Sequence, residues 1–212
     1  MRDYDLLDRV ILGLDDALRA VSGTAVSARR PYPAEGVDAP AMTEHDRHLA
    51  VGLMRVDHAG EIAAQALYRG QQWVGRSDSV RGAMRRAAEE ESDHLAWCER
   101  RLIELGGRPS LLNPIWYLGS FCMGAMAGLF GDRWSLGFVA ETERQVVEHL
   151  ESHLRRLPPE DARGRAVLAQ MKEDEGRHAT VAVESGGERL PPPVRTLMSL
   201  CSRVMTTTAF WI

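Results

Sequence analysis

Two Glu-x-x-His pairs stand in this chain: Glu91 with His94 in "AAEEESDHLAWCERR", and Glu175 with His178 in "KEDEGRHATVAV". A spacing of three puts both side chains of a pair on one face of a helix, about a turn apart. A carboxylate and an imidazole so placed either pair harmlessly at the surface or converge on a ligand. Two more glutamates bear on the choice. Glu61 in "DHAGEIAAQAL" precedes Glu91 by 30 residues, and Glu143 in "GFVAETERQVVEHL" precedes Glu175 by 32. In an antiparallel helical hairpin, residues at equal height lie equally far from the turn. The midpoint between Glu61 and the first pair falls near residue 76, in the break "GRSD"; that between Glu143 and the second pair falls near 160, in "PPED". Both halves satisfy the constraint, so the chain reads as an imperfect duplication of one hairpin.

Carboxylates buried there without partners would each cost several kcal/mol or shift to the neutral form. Two divalent cations would balance four carboxylate charges. Carboxylate oxygen with imidazole nitrogen suits iron or manganese, whereas copper and structural zinc favour more sulfur. A Glu from each of two helices, joined by Glu-x-x-His from each of two others, is the di-iron carboxylate pattern of ferritin-like bundles. The predicted metal ligands are therefore Glu61, Glu91, His94, Glu143, Glu175 and His178. Asp57, one turn before Glu61, and Asp174 are candidates to orient the ligand histidines; for Asp174 a water-facing position is the alternative. His58 and His149 lie near ligands but off their helical faces, and His45, His48 and His153 read as solvent-facing.

The elements that must position these residues are helices. Apolar residues recur at helical spacing and β-alternation is scarce. A helix over about 3–21 precedes a Pro/Gly-rich linker, "RRPYPAEGVDAP", which divides the chain into 1–42 and a domain over 43–212. Long helices are predicted from about 43 to 73, from the cap at Ser77 or Asp78 to Gly106–Gly107, over about 133–157, and over about 160–184. A final helical segment follows the prolines at 191–193 and ends in Phe210-Trp211-Ile212. The fold class is all-α: a ferritin-like four-helix bundle with an apolar crossover and extra terminal helices. Residues 111–131 hold no charge and would just span a bilayer. Pro114 and glycines at 119, 124, 128 and 131 argue instead for a crossover with a lipid-facing side that admits an apolar substrate tail. The C-terminal segment reads as either a membrane anchor or a docked helix.

Composition narrows the classes. A net charge of −4 over 212 residues argues against a nucleic-acid partner. Three dispersed cysteines form no CxxC, which suits a reducing compartment and neither a zinc ribbon nor rubrerythrin's rubredoxin-like module. The acidic, amphipathic N-terminus is unlike a secretory signal.

The strings "LMRVDHAGEIAAQALYRGQ", "EEESDH", "RPSLLNPIWYLGSFCMGAMAGLFG", "VAETERQVVEHL" and "EDEGRH" occur in this order from residue 53 onward. They resemble the bacterial Coq7-type demethoxyubiquinone hydroxylases. "RVDHAGE" is the specific part; the Glu-x-x-His pairs are shared with many ferritin-like proteins. The resemblance implies two iron ions held by the six residues above, with Glu91 and Glu175 bridging. It implies O2-dependent hydroxylation of a polyprenyl 6-methoxy-3-methyl benzoquinol ring, one oxygen atom entering the ring and the other leaving as water. It also implies NADH or the quinol as electron source, a peripheral seat on the cytoplasmic face of the cell membrane, and a place in a ubiquinone-biosynthesis complex. A ferritin-like ferroxidase or peroxide scavenger is the alternative with the same ligands, and a metal-free four-helix binding protein is the alternative of another class.

Overall fold

The computed structural model describes residues 28–212. The helix expected over 3–21 lies outside the described residues. Six helices follow: α1 (Glu44–Val74), α2 (Asp78–Glu104), α3 (Asn113–Leu129), α4 (Asp132–Arg156), α5 (Ala162–Glu184) and α6 (Pro192–Ala209). No strand occurs among the described residues.

Local chemistry sets the helix ends. The Thr43 hydroxyl accepts from the Asp46 backbone N–H at 3.1 Å, Ser77 accepts from Val80 at 3.2 Å, and the Asp161 carboxylate accepts from Gly164 at 2.7 Å. Each satisfies a donor that the first turn leaves unpaired. Gly106 ends α2 at φ +68°, a left-handed turn that glycine adopts without a Cβ clash. α1 and α2 form one antiparallel hairpin, and α4 and α5 form the other.

Four apolar clusters make up the core among the described residues, and the two largest flank the middle of the bundle. Leu53, Met54, Trp97, Cys98, Leu150, Leu168 and Met171 pack towards one end of the bundle, while Leu67, Tyr68, Val80, Met84, Leu136 and Val139 pack towards the other. On every hairpin helix the candidate ligands fall between these groups. The bundle thus seals its polar middle from water at both ends.

The apolar segment after α2 is itself helical and packs along α1. Small residues permit this. A Cβ on Gly124 would sit 2.0 Å from the Leu67 carbonyl oxygen, and one on Gly70 would sit 2.2 Å from that of Phe121. α6 crosses back over α1 and α4. The expected linker is also partly structural, since Tyr32 and Ala34 are buried in the first apolar group.

Candidate metal centre

The two hairpins bring all six predicted ligands together in two overlapping quartets. Glu61, Glu91, His94 and Glu175 form one; Glu91, Glu143, Glu175 and His178 form the other. Within each quartet one ligand atom per residue lies within 4.8 Å of the others. Glu91 and Glu175 belong to both.

The imidazoles aim alike. His94 Nδ1 lies 2.9 Å from Glu175 Oε1, 3.2 Å from Glu91 Oε2 and 3.6 Å from Glu61 Oε2. His178 Nδ1 lies 3.0 Å from Glu175 Oε2 and 3.6 Å from Glu91 Oε1. All four glutamates and His94 are buried; the His178 side chain retains 14% exposure.

Burial pushes the Glu61 and Glu143 carboxyls well above the usual carboxylate range, helped by the neighbouring charges of Glu91 and Glu175 respectively. Burial opposes ionisation of Glu175 too, but hydrogen bonds from His178 and His94 hold it down at about 2. His178 is raised to about 9 against its burial, chiefly by Glu175. Glu91 Oε1 and Glu143 Oε1 are buried without a hydrogen-bond partner. Such a set is costly alone and suits a divalent cation in each quartet, since four carboxylate charges would then be balanced.

Behind each imidazole stands a second acid. His94 Nε2 faces Asp174 Oδ2 at 3.0 Å, and His178 Nε2 faces Glu90 Oε2 at 2.6 Å. The arrangement is reciprocal: the acid just before the glutamate of one Glu-x-x-His pair supports the histidine of the other. Asp174 is therefore placed to orient His94 rather than facing water, its side chain being fully buried. Glu90 went unread in the sequence, although its place before Glu91 repeats that of Asp174 before Glu175. Arg30 was missed as well. Its guanidinium bridges Asp174 at 2.8 Å and Asp93 at 3.0 Å and lies 4.7 Å from the centre of the Trp97 ring. A residue outside the hairpins carries no helical register that would have flagged it.

Two expectations, on Asp57 and His153, fail, while His58 stays off the site as its helical face implied. Asp57 does not meet the ligand histidines; its Oδ1 lies 2.8 Å from His153 Nδ1 and 3.4 Å from His149 Nε2. His153, expected in solvent, is buried because α4 turns that face towards α1 and Asp57. His58 is buried with Nδ1 unpaired and belongs to neither quartet, and burial lowers it to about 4.

A cavity of about 490 Å³ opens on the carboxylate side of the centre and touches Glu61, Glu91, Glu143 and Glu175. Its walls are largely apolar, with Ile115, Trp116 and Met123 from α3 and Met198, Val204 and Met205 from α6. Ile115, Leu200 and Val204 line it while remaining more than half exposed, so its mouth meets an apolar surface. That surface continues through Leu118, Met126 and Leu129 on α3 and Leu197 on α6. No described helix is long and apolar enough to cross a membrane.

Comparison with known proteins places this arrangement. The family model described as ubiquinone biosynthesis protein COQ7 matches residues 48–209. Curated relatives named 3-demethoxyubiquinol 3-hydroxylase include that of Nitrosococcus oceani, 56% identical over 211 residues, covering 100% of this chain and 99% of the relative. Another, from Nitrosomonas europaea, is 52% identical and covers 97% of this chain and 99% of its own length. Among solved structures, the bacterioferritin-related protein of Bacteroides fragilis, a dodecameric thioferritin, matches with a TM-score of 0.54 at 19% identity. That match covers 64% of this chain and 82% of the other, a likeness of fold alone. By the span of the family match and the identity to relatives over nearly their whole length, this chain belongs to the COQ7 family of ubiquinone biosynthesis proteins.

Proposed function

We propose that the chain hydroxylates the ring of a demethoxyubiquinol with O2, at two iron ions held by Glu61, Glu91, His94, Glu143, Glu175 and His178. Glu91 and Glu175, which belong to both quartets, would contribute to holding both ions. When bound, the iron pair supplies the reduction of O2 and the transfer of one oxygen atom. The chain's own residues hold the ions, exclude water and orient the ring. Residues 43–212 form the catalytic domain in this reading, with the segment from residue 28 as a strap against its flank.

One observation carries the proposal: an apolar cavity whose floor is the four carboxylates and whose mouth opens among exposed apolar side chains. A quinol head group with a polyprenyl tail needs such a space, the ring on the floor and the tail leaving through the mouth. A ferroxidase, whose substrate is a hydrated ion, has no use for it. The apolar faces of α3 and α6 seat the protein peripherally on the cytoplasmic leaflet. Residues 189–212 hold three arginines and no acid, which suits anionic lipid. The electrons come from NADH or from the quinol.

Mass spectrometry of lipid extracts from cells lacking the gene provides the test. A ubiquinone precursor short of one methoxy group should accumulate, and the intact gene should cure it where a Glu143→Ala copy does not. A normal quinone profile in the deletion strain would remove the hydroxylase reading and leave the ferroxidase.

A further inference from the structure

The cavity wall holds a histidine that belongs to neither candidate metal quartet. His149 of α4 lines the cavity, and its side chain is 27% exposed. Its Nε2 lies 3.4 Å from Asp57 Oδ1 on α1, and the same oxygen lies 2.8 Å from His153 Nδ1, close ion-pair distances at which none of the three atoms has an aligned hydrogen bond. The two imidazole centroids are 3.9 Å apart. His153 and Asp57 are buried, so they fix the His149 ring from behind while it looks into the cavity. Burial opposes the Asp57 charge, but the neighbouring histidines hold its carboxyl down at about 2, so the anion persists at neutral pH.

The placement is specific. Asp57 lies one turn from Glu61 on α1, and His149 lies on α4 six residues beyond Glu143. Asp57 and His149 therefore share two helices with the cavity floor and stand about 6–9 Å along them from the carboxylates, at a rise of about 1.5 Å per residue. That separation is about the width of a substituted aromatic ring. The other polar groups that α4 shows to the cavity are engaged: the Thr142 hydroxyl donates to the Phe138 carbonyl at 2.9 Å, and the Gln145 amide donates to Glu141 at 2.7 Å. His149 Nδ1 makes no hydrogen bond among the described residues. A buried carboxylate that clamps two histidines, one of them facing a substrate-sized apolar space, is an expensive device for packing alone.

We infer that His149, held by Asp57 and His153, hydrogen-bonds a ring oxygen of the quinol and so selects the ring carbon that faces the metal centre. This rests on the hydroxylase reading. Asp57 and His153 act as positioning residues; His149 alone touches substrate.

The experiment uses the iron-loaded full chain and a demethoxyubiquinol with a short prenyl tail. KM, kcat, hydroxylated product per O2 consumed, and iron content are read for wild type, His149→Ala, His149→Gln and Asp57→Asn. His149→Ala should raise KM about ten-fold, the loss expected for one hydrogen bond to a charge-backed donor. It should also lower product per O2, because a ring in the wrong register lets reduced oxygen escape. Iron content should stay at the wild-type level. His149→Gln keeps a donor at similar bulk and should recover part of both losses; Asp57→Asn should fall between Ala and wild type. Unchanged KM and coupling in iron-replete His149→Ala would overturn the inference while leaving the hydroxylase standing. Loss of iron in both His149 variants would move the residue into the metal centre and overturn it as well. A wild-type protein that turns over no quinol would instead overturn the hydroxylase reading.

Discussion

Each imidazole at the candidate metal centre is held from two sides, by shared glutamates at Nδ1 and by an acid from the opposite hairpin at Nε2. Such outer acids fix ring orientation and raise ligand basicity. The two halves are not equal, because Asp174 is buried and braced by Arg30 whereas Glu90 is half exposed. Glu175→Ala removes a ligand from both quartets and should abolish iron binding and turnover together, while His178→Ala, a member of one quartet, should lose part of its iron and its turnover. Iron analysis with an activity assay checks this, and full occupancy with normal turnover in either variant would refute the assignment. His58 gives a separate handle. Its folded value is about 4 and its ordinary value 6.5, so the unfolded chain takes up a proton in this window that the folded chain refuses. Stability should therefore fall as pH drops from 6.5 towards 4, with about 2 kcal/mol of that loss present by pH 5. Thermal melts from pH 7.5 to 5 should be flatter for His58→Gln than for the parent protein; parallel curves would contradict this.

At the scale of elements, the close approach of α3 to α1 shapes the cavity. Gly70 and Gly124 let the two backbones meet where any side chain would strike a carbonyl. Gly124→Ala should cost about 1–3 kcal/mol, the usual penalty of overpacking a tight contact, and lower the melting temperature by several degrees. An unchanged melting temperature would show that the helices part freely. The hairpin helices were legible in the sequence because their signals are local: capping side chains at Thr43 and Ser77, breaks at Gly75 and Pro158, and the paired motif heights. α3 was legible only as an apolar run, since an uncharged stretch reads alike as buried crossover, interfacial helix or bilayer span. The Asp57–His149–His153 cluster and the Arg30 strap were not legible, as they depend on how helices far apart in sequence meet.

Across the described residues, two apolar groups lie above and below the carboxylates, and a lateral cavity opens between α3 and α6. Ile115, Leu200 and Val204 stand exposed at that opening, which in the proposed reading would face lipid. Leu118 and Leu197 are 65% and 60% exposed and do not line the cavity. Changing both to Glu should sharply reduce cosedimentation with vesicles containing anionic lipid and leave turnover of a short-tailed quinol intact. Undiminished cosedimentation would place the lipid contact elsewhere.

Isotope labelling shows directly whether this chain puts oxygen from O2 on a quinol ring. The purified, iron-loaded protein is supplied with reductant, a demethoxyubiquinol and 18O2, and the product is read by mass spectrometry. A ring hydroxyl carrying one 18O atom should form with wild type and be absent with Glu143→Ala. Oxygen consumption that yields only peroxide or water, with the quinol ring unchanged, would contradict the hydroxylase reading.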